Sequence, residues 1–161
     1  MSAIASFVRL PKNALGGLRD AAVPKKRIFG APKDTFDDYL RAHGNETTQY
    51  QWSGLVLATL LPYLHERHQI DLMKSEYDEL AAYLCKAREA TFFVFTQSHK
   101  AAFFERLDPA LFSEANLRQY FNEFNEANEQ QVGKAMLDGV SAFRQALGQV
   151  NDESVVLFSI R

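Results

Sequence analysis

The run Val155-Val156-Leu157-Phe158-Ser159-Ile160 constrains this chain more than any other stretch. It is β-branched and aromatic, carries no charge, and left in water it invites strand-to-strand aggregation, so it belongs inside a sheet. The residues before it read as helix. Val132, Met136, Val140, Phe143 and Leu147 are spaced for one stripe of a helix, and Leu117, Tyr120, Phe121 and Phe124 form a similar stripe upstream. Gly133 and Gly139 interrupt the 132–147 stripe, and Gly148 suits its end. Between the stripes lies Asn122-Glu123-Phe124-Asn125-Glu126-Ala127-Asn128-Glu129-Gln130-Gln131, which reads either as a turn between two helices or as the polar middle of one.

A second apolar run, Thr91-Phe92-Phe93-Val94-Phe95-Thr96, has no charged interruption, which suggests a strand buried on both faces and hence central in its sheet. Ile4, Ser6, Val8 and Leu10 alternate with Ala5, Phe7 and Arg9 in a first strand that Pro11 stops. The fold class is therefore α+β, a helix-dominated single domain with a small central sheet built from strands near 3–10, 91–96 and 154–160. With 161 residues, 47% of them hydrophobic and 13 of them Phe, one domain can bury a sizeable core without disulfide or metal.

The remaining helices follow from their caps. Residues 13–22 have helical spacing weakened by Gly16-Gly17, which marks close packing or a break. Asp34 can cap a helix carrying Phe36, Tyr39 and Leu40 that Gly44 ends, and 44–51 reads as polar loop. Ser53 starts a buried helix that Pro62 would kink or split. Ser75 opens another, with Glu76, Asp78 and Glu79 at its favourable end, and a further helix spans about 98–107.

Charge is unevenly spread. Arg9, Lys12, Arg19, Lys25, Lys26, Arg27 and Lys33 face only Asp20 in the first 33 residues, while the remainder holds 11 basic and 19 acidic residues, and the plainer reading is that the basic segment pairs with the acidic body in the fold. Segment 23–34, with Pro24, Gly30 and Pro32 among its cations, reads as an exposed basic loop. The net charge of −2 gives no global field for nucleic acid or an anionic membrane, so neither is expected as a partner. The longest apolar run, 55–64, falls far short of the roughly 20 residues of a membrane span. The first seven residues lack the basic and apolar regions of a secretory signal, and Cys85 is the only cysteine, so a cytoplasmic protein is expected.

Motifs for chemistry are sparse. His65 and His68 are three apart, where the zinc-helix motif needs four with Glu after the first; near a helix C-terminus both rings would serve its last carbonyls. Ser98-His99 follows a strand end, where ligand sites gather, but with no third member beside it the plainer reading is a helix cap followed by an exposed histidine. Cys85 sits in an apolar helical register and reads as a small hydrophobe. No phosphate loop and no nucleophile elbow occurs, so no cofactor and no catalytic residue is assigned. Asp37 and Asp38, with Glu123, Glu126 and Glu129, are the candidate partner-binding residues, acidic acceptors for a basic protein; the plainer reading makes them wetted surface.

Met1-Ser2-Ala3-Ile4-Ala5-Ser6-Phe7, together with Phe112-Ser113-Glu114, a long helix carrying Met136-Leu137-Asp138, and Val155-Val156-Leu157-Phe158, resembles the YfbM-like family of small bacterial proteins. That resemblance implies a compact α+β fold and carries over no active-site residue. Proteins of this kind include candidates for immunity partners of secreted bacterial toxins. The function expected is accordingly a non-enzymatic protein-binding module, an immunity-type protein that occludes a basic toxin domain, itself a monomer or weak homodimer. The alternative is a small enzyme or ligand-binding protein with a site assembled around His65, His68 or His99.

Overall fold

A computed structural model describes residues 3–161; Met1 and Ser2, which open the stretch resembling the YfbM-like family, lie outside the described residues. The elements run β1 (Ala5–Pro11), α1 (Leu15–Ala21), α2 (Phe36–His43), β2 (Asn45–Thr48), α3 (Gly54–His68), α4 (Asp78–Arg88), β3 (Thr91–Phe95), α5 (Gln97–Phe103), α6 (Glu114–Phe124), α7 (Val132–Gly148) and β4 (Ser154–Ile160). The fold is α+β: helices around one antiparallel sheet of order β2-β1-β4-β3.

β4 organises the molecule. It pairs with β1 on one side and β3 on the other, so that Phe158 stands opposite both Phe7 and Phe93. All seven of its residues are buried, and its alternation feeds two cores. Val156, Phe158 and Ile160 face a core built with Phe7, Phe95 and the apolar sides of α3, α6 and α7. Val155 and Leu157 face a second, with Leu10, Phe92, Val94 and residues of α1, α2 and α4. Helices therefore cover both faces of the sheet, which is why β4 reads as a continuous apolar run.

The structure corrects some expectations and, for Pro62 and for 122–131, decides between readings that the sequence leaves open. The strand at 91–96 is not central: β3 lies at the edge, the two inner strands are β1 and β4, and of these β4 is the one buried along its whole length. α4 covers the outer edge of β3, where the Cys85 sulfur accepts the Phe92 N–H at 3.2 Å. Cys85 is half-buried and gives that edge a partner, a role beyond filling space. Segment 44–51 is not all loop; it holds β2, which pairs with β1. Pro62 lies inside α3 without splitting it. The polar stretch 122–131 breaks the region into α6 and α7, a turn rather than one continuous helix.

The glycines of α7 mark close approaches. A Cβ on Gly133 would lie 2.5 Å from the Glu114 carbonyl oxygen, so the bare backbone lets the starts of α6 and α7 touch. Ser53 accepts the Leu55 N–H at the head of α3, and Asp34 accepts the Phe36 N–H at the head of α2, as their side chains predict.

Candidate functional site

The end of α3 and the length of α6 enclose a hollow of about 440 Å³ whose walls include Tyr63, Arg67, His68, Leu111, Gln119, Tyr120 and Glu123. The spacing of each helix explains the lining. Tyr63 and Arg67 are one turn apart on α3, and Gln119, Tyr120 and Glu123 follow one another up α6. Tyr63 and Tyr120 meet edge to face, ring centres 5.0 Å apart. Both are buried apart from their rims, so each hydroxyl needs a partner. Tyr120 donates to Glu66 Oε2 at 2.9 Å, and the Tyr63 hydroxyl meets His68 Nε2 at 3.3 Å. The His68 ring in turn lies against Phe112 at 4.7 Å.

Burial sets the charge state of this floor. It pushes the Tyr63 phenol up and, with the Glu66 carboxylate beside it, pushes Tyr120 up to about 12. It holds His68 below the ordinary imidazole range, helped by the nearby Arg106 guanidinium, which donates to the His68 carbonyl. At neutral pH the phenols keep their protons and the imidazole lacks its second one. The floor is thus neutral and aromatic, and the charge sits on the rim, in Arg67 and Glu123.

Outward from the rim, Phe124 stacks on Tyr120 at 5.8 Å; Phe124 and Leu111 are 56% and 64% exposed. The turn between α6 and α7 is held by amides. The Asn122 side chain accepts the Glu129 N–H at 2.8 Å and donates to its carbonyl at 3.2 Å. Asn125 donates to Thr59 Oγ1 at 3.1 Å, and Glu126 takes a left-handed φ of 50°. With the amides engaged, the carboxylates are left to solvent. Glu123 accepts a hydrogen bond from Gln119 at 2.8 Å, and among the described residues none of Glu123, Glu126 and Glu129 forms an ion pair.

The five candidate acceptors therefore do not form one surface. Glu123, Glu126 and Glu129 share the corner between α6 and α7. Asp37 and Asp38 belong to α2, which packs on the opposite face of the sheet, and each already has a cation: Arg161 at 2.6 Å and Arg41 at 3.2 Å.

Nor do the three histidines converge. His65 is exposed, its Nδ1 3.8 Å from Asp71; His68 lines the hollow; His99 is elsewhere, beside Thr96 and Lys74. His99 also departs from the exposed position expected after a Ser98 cap. It is buried, its Nδ1 accepts the Thr96 N–H at 3.1 Å, and Thr96 is the residue that caps α5. Among the described residues no three His, Cys, Asp or Glu side chains are placed to share a metal ion.

Sequence reading missed Tyr63 and Glu66, and took Tyr120 only as core. The available signal was chemical: a tyrosine in an apolar stripe carries a hydroxyl that must be satisfied at the stripe's border. Comparison with protein-family models, with curated proteins and with solved structures found no match for this chain.

Proposed function

We propose that this protein is a non-enzymatic binding module of the immunity type, which neutralises a cognate bacterial toxin by covering it with the corner between α6 and α7. The observation that supports this reading is the set of three carboxylates that form no ion pair among the described residues, Glu123, Glu126 and Glu129, beside two exposed apolar side chains and an aromatic hollow. Such a corner suits a basic partner. The carboxylates steer its approach, and the space beside Tyr63 and Tyr120 accepts the stem of a long side chain whose charged head meets Glu123. The resemblance to the YfbM-like family belongs to the same proposal, as do a cytoplasmic location and a monomeric or weakly dimeric state. A stable complex would use about 800 Å² of this surface.

The test is co-purification with the toxin-like product of a neighbouring gene, followed by titration calorimetry and stopped-flow association. Glu123→Lys/Glu126→Lys/Glu129→Lys is expected to weaken binding by about 100-fold, chiefly through a slower, less salt-sensitive association. Unchanged affinity in that variant, or no complex with any such product, overturns the reading.

The alternative of a ligand-binding protein or small enzyme built around His65, His68 or His99 rests on the one ring that lines the hollow, His68. It predicts a small molecule that raises the melting temperature of the natural chain and leaves His68→Ala unmoved.

A further inference from the structure

The segment between α1 and α2 takes no part in that corner. From 23 to 34 every residue is exposed. Lys25 and Lys33 close it into a hairpin, each N–H donating to the other's carbonyl at 2.9 Å, and Gly30, at φ 91°, helps turn the chain. Both legs are tied down by one side chain: Arg88, at the end of α4, donates to the Ala22 carbonyl at 3.3 Å and to Asp34 at 2.7 Å. The base is therefore held while the tip projects. At the tip stand Ile28 and Phe29, 93% and 89% exposed.

Two adjacent large apolar side chains in full contact with water are unusual on a surface and mark a place of contact. Their surroundings say what they contact. Lys25, Lys26 and Arg27 precede them and Lys33 follows, no carboxylate occurs between Asp20 and Asp34, and none of the four cations is in an ion pair among the described residues. A greasy point ringed by unpaired cations is complementary to a phase that is apolar within and anionic at its boundary. We propose that this hairpin seats the protein on an anionic lipid surface, with Ile28 and Phe29 entering at the level of the acyl boundary and the four cations lying among the phosphates.

Two further observations agree. The hairpin projects from the layer of α1, α2 and α4, and the unpaired carboxylates Glu123, Glu126 and Glu129 belong to the layer on the other face of the sheet. The hairpin and the acidic corner therefore do not share a face of the sheet. No helix of the described residues is long and apolar enough to cross a membrane, so the contact is peripheral. The expectation of no membrane partner rested on net charge and on the lack of a span, neither of which weighs a local hairpin. A protein pocket would serve the apolar pair equally, but the hairpin tip offers no acid or amide side chain with which to read a shaped polar site.

The test is sedimentation with sucrose-loaded vesicles, phosphatidylglycerol and phosphatidylcholine in equal parts against phosphatidylcholine alone. The full chain is expected to bind the anionic vesicles at least about tenfold more strongly and to be released by high salt. Ile28→Ser/Phe29→Ser should lose about tenfold or more, and Lys25→Gln/Lys26→Gln/Arg27→Gln should bind both vesicle types equally. Phe124→Ser, in the other layer, should bind like the natural chain. All variants alter exposed side chains, so unchanged melting curves certify their fold. Equal binding to the two vesicle types, retention of binding by Ile28→Ser/Phe29→Ser, or no binding to anionic vesicles overturns the proposal; in the last case the hairpin is left to an acidic protein partner.

Discussion

His99 shows how one side chain can hold three elements in register. Its Nδ1 accepts the Thr96 N–H at the head of α5, so the proton of the neutral ring is on Nε2, which lies 2.7 Å from the Lys74 carbonyl before α4 and donates to it. A second proton would set a donor on Nδ1 against the donor of Thr96. Burial holds the ring below its ordinary pKa of 6.5, the Lys74 carbonyl and the Asp71 and Asp78 carboxylates offsetting only part of that. The sign of the linkage follows. The unfolded chain takes the proton first, so the stability this ring contributes is complete above about pH 6.5 and is lost as the pH falls toward the lowered folded-state value. His99→Gln is expected to cost about 1–3 kcal/mol at pH 7.5 by leaving a buried donor or acceptor unmet. It should also flatten the fall in melting temperature between pH 7 and 5, leaving the part that His68 contributes. Calorimetric scans over that range check both; a natural-like acid slope in His99→Gln would remove His99 from the account. Sequence could not show this, because the histidine's partners come from a strand end and from a connector 25 residues upstream.

At the scale of elements, three glycines of helical segments behave in opposite ways, although the sequence presents them alike. Gly16 in α1 has open space around it, Gly17 would drive a Cβ to 2.8 Å from the Tyr39 ring, and Gly133 would press one onto the Glu114 backbone. The Tyr39 hydroxyl donates to the Ala14 carbonyl at 2.7 Å, so the ring beside Gly17 is anchored. Gly16→Ala should therefore stabilise the chain by about 0.5–1 kcal/mol through helix propensity. Gly133→Ala should destabilise it by about 1–3 kcal/mol, because the clash with backbone outweighs that same propensity gain. Urea midpoints moving in opposite directions check the pair. Elements were legible where a stripe or an apolar run exists, hence β1, β3, β4 and the helix pair α6 and α7. β2 was not, because Asn45, Glu46, Thr47 and Thr48 are polar and only Thr48 is buried; its pairing to β1 is tertiary. The order of strands was not legible either. An apolar run reports cover on both faces, which β3 and β4 share, but not whether both edges are hydrogen-bonded. The candidate site divides in the same way: the acidic corner is contiguous in sequence, while the hollow exists only once α3 meets α6.

For the whole molecule, the position of β4 makes both cores depend on one strand. Phe158 stacks on Phe7 at 4.7 Å and on Phe95 at 5.6 Å, and meets Phe143 edge to face at 5.4 Å. Its neighbour Leu157 points into the other core. Phe158→Ala is expected to cost about 3–5 kcal/mol, a large part of the 5–15 kcal/mol typical of a domain. Because the two cores share the backbone of β4, this loss should appear as one cooperative transition at lower temperature and not as melting of the α3, α6 and α7 layer alone. A chain ending at Glu153 removes the strand that joins β1 to β3, and exposes the apolar inner sides of both helical layers. It should therefore show no cooperative melt and should bind a hydrophobic dye. Replacing Lys26 through Pro32 by a short Gly-Ser link deletes a comparable number of residues, all of them exposed, and should leave the melting temperature within about 2 °C. Thermal unfolding of the three chains followed by far-ultraviolet and near-ultraviolet circular dichroism separates these outcomes. A biphasic melt of Phe158→Ala, with near-ultraviolet signal lost before far-ultraviolet signal, would show that the layers hold themselves together without the strand between them.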